Sequence, residues 1–457
     1  MSSDPGSRAA EPPRTPLRTI GRALRHRNYR LFFVGQGISL IGTWLTRVAT
    51  SWLVYRLTGS ALMLGVIGFA GQIPTFFLAP VAGVWVDRWN RHRTLVVTQV
   101  LAMLQSGLLA ALAWWHPAIA GTTIARTTIA GIAALSVFQA LINAFDMPAR
   151  QAFVVQMVED RADLPNAIAL NSSMVNAARL IGPSVAGILI ALFGEGWCFA
   201  IDAASYLAVI ASLLAMRLEP RPTAPRKTRV SAELVEGLRY VVGHLPIRSV
   251  LLLLAVVSLM GMPYAVLMPI EATSVLHGQA DTLGFLMAAS GAGALGGALY
   301  LASRTSVLGL GRVIGVSAAI FGASLIGFAL SHTLWLSLVL MVPTGMGMMV
   351  QMAASNTIVQ TLVDEDKRGR VMSFFAMAFF GTVPFGSLLA GSLAQRIGAP
   401  RTIGLGGIVC VVGAALFFRA LPEIRRHARP TYQRLGILPE VAEGLQSASQ
   451  PPVTPED

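Results

Sequence analysis

Four ionisable side chains stand inside long apolar runs of this chain: Arg47, Arg179, Asp202 and Glu271. A charge in such surroundings is tolerated only with a partner or a water-filled cavity, so each is a candidate for ion pairing, ligand binding or proton transfer. Asp202 and Glu271 can take up and release a proton there, which makes them the candidate coupling groups. The alternative for each is a structural ion pair or an end residue reaching toward water. At a rise of about 1.5 Å per residue, Arg47 and Asp202 fall at similar depth, so they can pair if their helices are adjacent.

Other chemistries find no footing. The seven histidines lie at run ends, in loops or in tails, so no nucleophile, base and metal cluster converges at one depth. No Gly-x-x-x-x-Gly-Lys-Ser/Thr loop occurs, which argues against ATP as the direct energy source. Cys198 and Cys410 are far apart in apolar runs and support neither a disulfide framework nor a metal site. No cofactor or metal is expected.

These residues are carried by a chain that is 54% hydrophobic and 12% charged, with mean hydropathy +0.63. Soluble domains are nearer a quarter charged, so the composition is that of a membrane protein. The net charge of +13 invites a nucleic-acid reading, but the cations are distributed by topology. Of 35 Lys and Arg, 29 fall in segments assigned to the cytoplasm, four outside and two within spans.

The segment Gly83-Val84-Trp85-Val86-Asp87-Arg88-Trp89-Asn90-Arg91-His92-Arg93 lies between two runs, 61–82 and 94–115, that contain no Lys, Arg, Asp or Glu. Each run is long enough to span a bilayer as a helix, so the segment reads as a short cytoplasmic loop. The same logic gives twelve spans, at about 29–57, 61–84, 94–115, 125–146, 167–193, 197–216, 248–275, 282–303, 312–330, 333–361, 371–394 and 401–420. The fold class is therefore an all-α membrane protein of twelve transmembrane helices in two six-helix halves.

The expected domains are a disordered basic tail 1–28, a half 29–216, a cytoplasmic linker 217–247, a half 248–420 and a cytoplasmic tail 421–457. No cleavable signal is expected, because the basic, Pro-rich start lacks a short apolar core with a small-residue cleavage site. In the linker Leu234, Leu238, Val241, Val242 and Leu245 recur at helical spacing, which fits an amphipathic surface helix or a packed one. An internal repeat supports the halves: at an offset of 204, Gln156 meets Gln360, Gly182 meets Gly386 and Gly187 meets Gly391. At the offset aligning Leu64-Gly65 with Leu283-Gly284, Asp87 meets Ser306, so the charged segment is intact in one half only.

Residue by residue, that segment resembles the Gly-x-x-x-Asp-Arg-x-Gly-Arg-Arg loop after helix 2 of the major facilitator superfamily, with Gly83, Asp87, Arg88 and Arg91 on matching positions. Asn90 and His92 depart from the pattern, with Arg93 directly following; Asn tolerates the left-handed backbone that Gly supplies. The resemblance implies a gating latch, in which Asp87 faces the start of helix 11 and Arg88 or Arg91 reaches Asp146. Ala178 to Gly187, including Arg179, Gly182, Pro183, Ala186 and Gly187, resembles the Gly-Pro motif of drug and proton antiporters in that superfamily. Its small residues also fit an ordinary packing face.

The opening of the first span is similar to a bacterial branch of enterobactin-type siderophore exporters and macrolide efflux pumps. By that resemblance helices 1, 4, 7 and 10 line a cavity, which offers Gln36, Thr43, Arg47, Gln139, Asn143, Tyr264, Gln351 and Asn356 to a substrate. Glu271, on helix 7, then ranks ahead of Asp202, on peripheral helix 6, as proton carrier. The implied function is proton-coupled export of small amphipathic molecules such as drugs or siderophores. The expected setting is a monomer in a bacterial inner membrane, both termini cytoplasmic, its partners being small-molecule substrate, protons and lipid, with no nucleic acid. An importer or facilitator of the same fold is the first alternative. A polytopic membrane enzyme or transport-dead sensor is the second.

Overall fold

Twelve helices long and apolar enough to cross a membrane run through the computed structural model, which describes residues 21–115, 123–158, 160–217, 230–304, 306–365 and 367–435. They are α1 (Arg27–Thr58), α2 (two pieces, Ala61–Ala70 and Ile73–Arg88), α3 (Arg91–Trp115), α4 (Thr123–Met157), α5 (Leu164–Phe193) and α6 (Glu195–Leu214). After a linker helix, Val230–Gly243, come α7 (Leu245–Val275), α8 (Ala280–Ala302), α9 (Leu310–Ala329), α10 (Leu334–Leu362), α11 (Arg368–Ile397) and α12 (Ala399–Arg434). No strand occurs among the described residues, as expected where backbone groups must be satisfied within each segment.

Several boundaries differ from the sequence reading. The charged segment is not an open loop, because α2 continues through Arg88 and α3 begins at Arg91, leaving only Trp89 and Asn90 between them. Asn90 takes no left-handed backbone; among the described non-glycine residues only His277 has positive φ. Its Oδ1 instead accepts the backbone N–H of Arg93 at 3.1 Å, capping α3. Helix α4 runs on past Pro148 to Met157, so Asp146 sits inside it, and α12 continues to Arg434.

Helices α7 and α11 are not uniform. Wide turns at Val257–Gly261, Glu271–Val275 and Met377–Gly381 interrupt them. Such bulges free backbone groups locally and gather at functional sites. The expected tail 1–28 starts outside the described residues, but Arg22–Arg25 form an ordered turn. The linker helix buries Tyr240 and Val241 while exposing Val235, Leu238 and Val242, so it is at once packed and amphipathic.

Two close seams join the first six helices to the last six. A Cβ on Gly65 of α2 would lie 2.6 Å from the Ser387 carbonyl of α11, and one on Gly391 would lie 2.7 Å from that of Ala61. A Cβ on Gly284 of α8 would lie 2.5 Å from the Pro183 carbonyl of α5, and one on Gly187 would lie 2.7 Å from that of Ala280. Only glycine permits such approach, and the two seams use residues 204 and 219 apart, the offsets at which the sequence repeats. Both seams lie toward the Gly59–Ser60 turn. There Ser60 Oγ meets Gln395 Oε1 at 3.1 Å and Tyr55 OH meets Ser274 Oγ at 2.9 Å. The other end, with the Trp89–Asn90 turn and the linker helix, is the arginine-rich one.

Candidate functional site

Helices α1 and α5 cross at Trp44 and Gly182, where a Cβ on the glycine would lie 2.4 Å from the tryptophan Cβ. One turn along α1, the Arg47 guanidinium carbon lies 4.7 Å from the Trp44 ring centroid. One turn back on α5 stands Arg179, whose Nη2 lies 3.8 Å from Met348 Sδ on α10. Arg47 is exposed, although it lies about 16 Å from the nearer end of α1 at 1.5 Å per residue. A charged residue exposed at that depth lines a wet cavity. The two cations lie within each other's electrostatic reach, and Tyr264 of α7 within that of Arg179.

Helix α1 does lie against α6, yet Arg47 and Asp202 do not pair. Successive helical residues point about 100° apart, so Thr46, not Arg47, faces α6. Asp202 is buried, and its Oδ2 accepts hydrogen bonds from Thr46 Oγ1 and Ser106 Oγ, each 2.7 Å. Three helices, α1, α3 and α6, therefore meet at this carboxylate. Glu271 is equally buried, at the start of the wide turn Glu271–Val275, and its Oε1 has no hydrogen-bond partner among the described residues.

The polar residues expected in the cavity divide. Gln139 donates to Asn143 Oδ1 at 3.1 Å on α4, and Tyr264 OH meets Ser290 Oγ at 2.8 Å. Gln351 is fully buried on α10, one turn from Met348, with neither amide atom partnered among the described residues. Gln36 is buried, Thr43 Oγ1 donates back to the Ser39 carbonyl, and Asn356 accepts from Gln360 near the arginine-rich end. In the Gly-Pro segment Gly182 receives Trp44, Pro183 and Gly187 form the α8 seam, and Ala186 is buried near Cys198 of α6.

At the arginine-rich end, the side chains of Asp87 and Arg88, and Gly83 beyond its helical backbone, lie outside the described residues. Asp146 is held by Thr98 Oγ1 at 2.9 Å, Gln99 Nε2 at 2.8 Å and Arg150. Arg91 is half-buried at the start of α3, and Arg93 is exposed. His92 donates to the Leu213 carbonyl at 2.8 Å, tying α3 to the end of α6. Trp85, Trp89 and Phe145 stack beside a cavity of about 670 Å³ between α3 and α4.

One cluster escaped sequence reasoning. Buried Asp163, before α5, receives Arg22 Nε, Arg25 Nη2 and His26 Nε2, each at 3.1 Å. Burial pushes its pKa up, but hydrogen bonds from His26 and Arg25 and the charges of Arg22 and Arg25 outweigh this and hold it below the ordinary aspartate value. Ala23 N–H also donates to Asn166 Oδ1, and Tyr29 OH to the Ala167 carbonyl. The N-terminal segment is thus strapped to the base of α5. An acid in a short connection beside a basic tail was the only signal for this.

Twelve apolar spans, two glycine seams and two cations deep within the spans are the frame of a polytopic membrane protein. The family model described as "Transmembrane secretion effector" matches residues 21–452, and the chain belongs to that family of the major facilitator superfamily. It is 24% identical over 390 residues to the Staphyloferrin A transporter of Staphylococcus aureus, covering 85% of this chain and 95% of that protein. It is 27% identical over 391 residues to the multidrug efflux pump Tap of Mycolicibacterium fortuitum, covering 84% and 93%. Among solved structures, an inward-facing bacterial homolog of the human lysosomal transporter Spinster superposes with TM-score 0.67 at 15% identity, covering 88% of this chain and 98% of that one. The protein is a multi-pass membrane transporter of small molecules, not an enzyme.

Proposed function

We propose that the chain exports small amphipathic molecules from a bacterial cell, as a monomer in the inner membrane, in exchange for protons. The observation that carries this reading is the Gly-Pro segment of α5, which forms a seam with α8 and a wall beside the cavity cations. A transporter alternates access by rocking its halves, and smooth glycine seams permit that motion. The arginine-rich end is the cytoplasmic one, in keeping with the retention of Lys and Arg on that side. The seams at the opposite end then leave the cavity open to the cytoplasm. Glu271, buried without a described partner, is the group proposed to carry the proton, and the Asp87 turn the latch that closes the cytoplasmic side.

The test is transport into inside-out vesicles, with a panel of dyes, antibiotics and catechol siderophores, from a host stripped of its own pumps. Uptake of at least one probe that collapses with a protonophore is expected. Uptake insensitive to the proton gradient would overturn the coupling. Transport only in the reverse direction would make the protein an importer.

A further inference from the structure

We infer that the cavity between α1, α5 and α10 selects anionic solutes, with Arg47 and Arg179 as the groups that recognise a carboxylate. The inference rests on the transporter reading above and names the substrate class of that site. Both guanidinium groups are far from the helix ends, and among the described residues neither has a carboxylate within ion-pair distance. The described partners are a ring face for Arg47 and a thioether for Arg179, which are weak acceptors that leave most of the N–H donors uncommitted.

The packing fixes this pair. Trp44 seats on Gly182, and the arginines stand one turn to either side of that contact, Arg47 toward the sealed end and Arg179 toward the open one. Six residues at 1.5 Å each set the two Cα atoms about 9 Å apart along the axis, a gap two long side chains close on one ligand. Two like charges on facing helices repel, and the repulsion is relieved by an anion between them. Guanidinium groups bind carboxylates with paired, charge-assisted hydrogen bonds. Half-buried Trp44, beside Arg47, offers an aromatic face to the body of the solute. The ligand class that satisfies Arg47, Arg179 and Trp44 together is an amphiphile with at least one carboxylate and an aromatic body.

The experiment compares two dyes of similar ring system, anionic fluorescein and cationic rhodamine 6G, by equilibrium dialysis against the full-length protein in detergent at neutral pH. Wild-type protein is expected to hold fluorescein at least about tenfold more tightly than rhodamine 6G. Arg47→Gln and Arg179→Gln should each weaken fluorescein about tenfold and leave rhodamine 6G unchanged or tighter. Arg179→Lys, which keeps the charge, should retain part of the preference. A salt titration of the wild type gives the same reading with no variant: fluorescein binding falls with ionic strength, and rhodamine 6G binding does not. Equal binding of the dyes by wild type, or variants that hold fluorescein as before, would overturn the inference. Fluorescein binding without transport would overturn the export reading and leave the anion site standing. Export of rhodamine 6G with no preference for fluorescein would do the reverse.

Discussion

Thr46 Oγ1 donates a 2.7 Å hydrogen bond to Asp202 Oδ2, which makes this carboxylate a joint between helices and leaves Arg47 facing the cavity. Ser106 completes the joint from α3. Removing the carboxylate strands the buried Ser106 hydroxyl, at about 1–3 kcal/mol for a buried group left unsatisfied, and frees the half-buried Thr46 hydroxyl at smaller cost. Asp202→Ala should therefore lower the melting temperature of the purified protein by several degrees, with Asp202→Asn milder. Cys198 and Cys410 are both buried, so a thiol-reactive fluorophore reports the unfolding directly. Unchanged melting of Asp202→Ala would show that the joint bears no stability.

Glu271 stands in a different situation, buried at a bulged turn of α7 with Oε1 unpartnered among the described residues. Glu271→Gln should abolish proton-gradient dependence in inside-out vesicles while the protein inserts normally. Asp202→Asn should keep that dependence. The opposite outcome would move the coupling to α6.

The α5–α8 seam has almost no room, since a Cβ on Gly284 would lie 2.5 Å from the Pro183 carbonyl. Gly284→Val should hold the sealed end apart and slow transport about tenfold, because packed seams have discrete arrangements and do not deform smoothly. A cysteine pair introduced by Ser60→Cys and Gln395→Cys reports the seal. Cross-linking should be efficient in the parent and weak with Gly284→Val; equal cross-linking would mean the seam absorbs the extra methyls.

Asp163 ties the N-terminal segment to α5, and the cations and hydrogen bonds around it hold its pKa below the ordinary value of an aspartate. A depressed carboxylate contributes stability that is present above its unfolded pKa and lost as pH falls through the folded value. The strap should therefore hold at neutral pH and release in acid below the ordinary carboxylate range. Trypsin should cut after Arg22 and Arg25 faster in Asp163→Asn than in the parent at pH 7.5. Equal cleavage rates would show the segment to be held by Asn166 and Ala167 alone.

Asp87→Asn should impair transport at equal abundance, because by resemblance the latch charge acts in only one state of the cycle. Transport assayed alongside quantitative blotting checks this. Full activity at matched expression would leave the segment with a topological role.

The sequence by itself determined the spans, because twenty apolar residues without charge have no stable place but a bilayer helix, and it located the two-half repeat from glycine spacing. The four intramembrane charges and the Gly-Pro segment were also legible, since each breaks an apolar pattern. Which charge faces which could not be read. Depth along a helix is set by rise and is countable, whereas azimuth turns by about 100° per residue and is fixed only by packing. That rotation gave Asp202 to Thr46 and laid Arg47 over the ring of Trp44, which itself seats on Gly182 of α5. The same holds for the Asp163 strap, where four side chains converge from segments separated by more than a hundred residues. Tertiary structure alone decides such contacts, because local propensity carries no information about the neighbour across a helix interface.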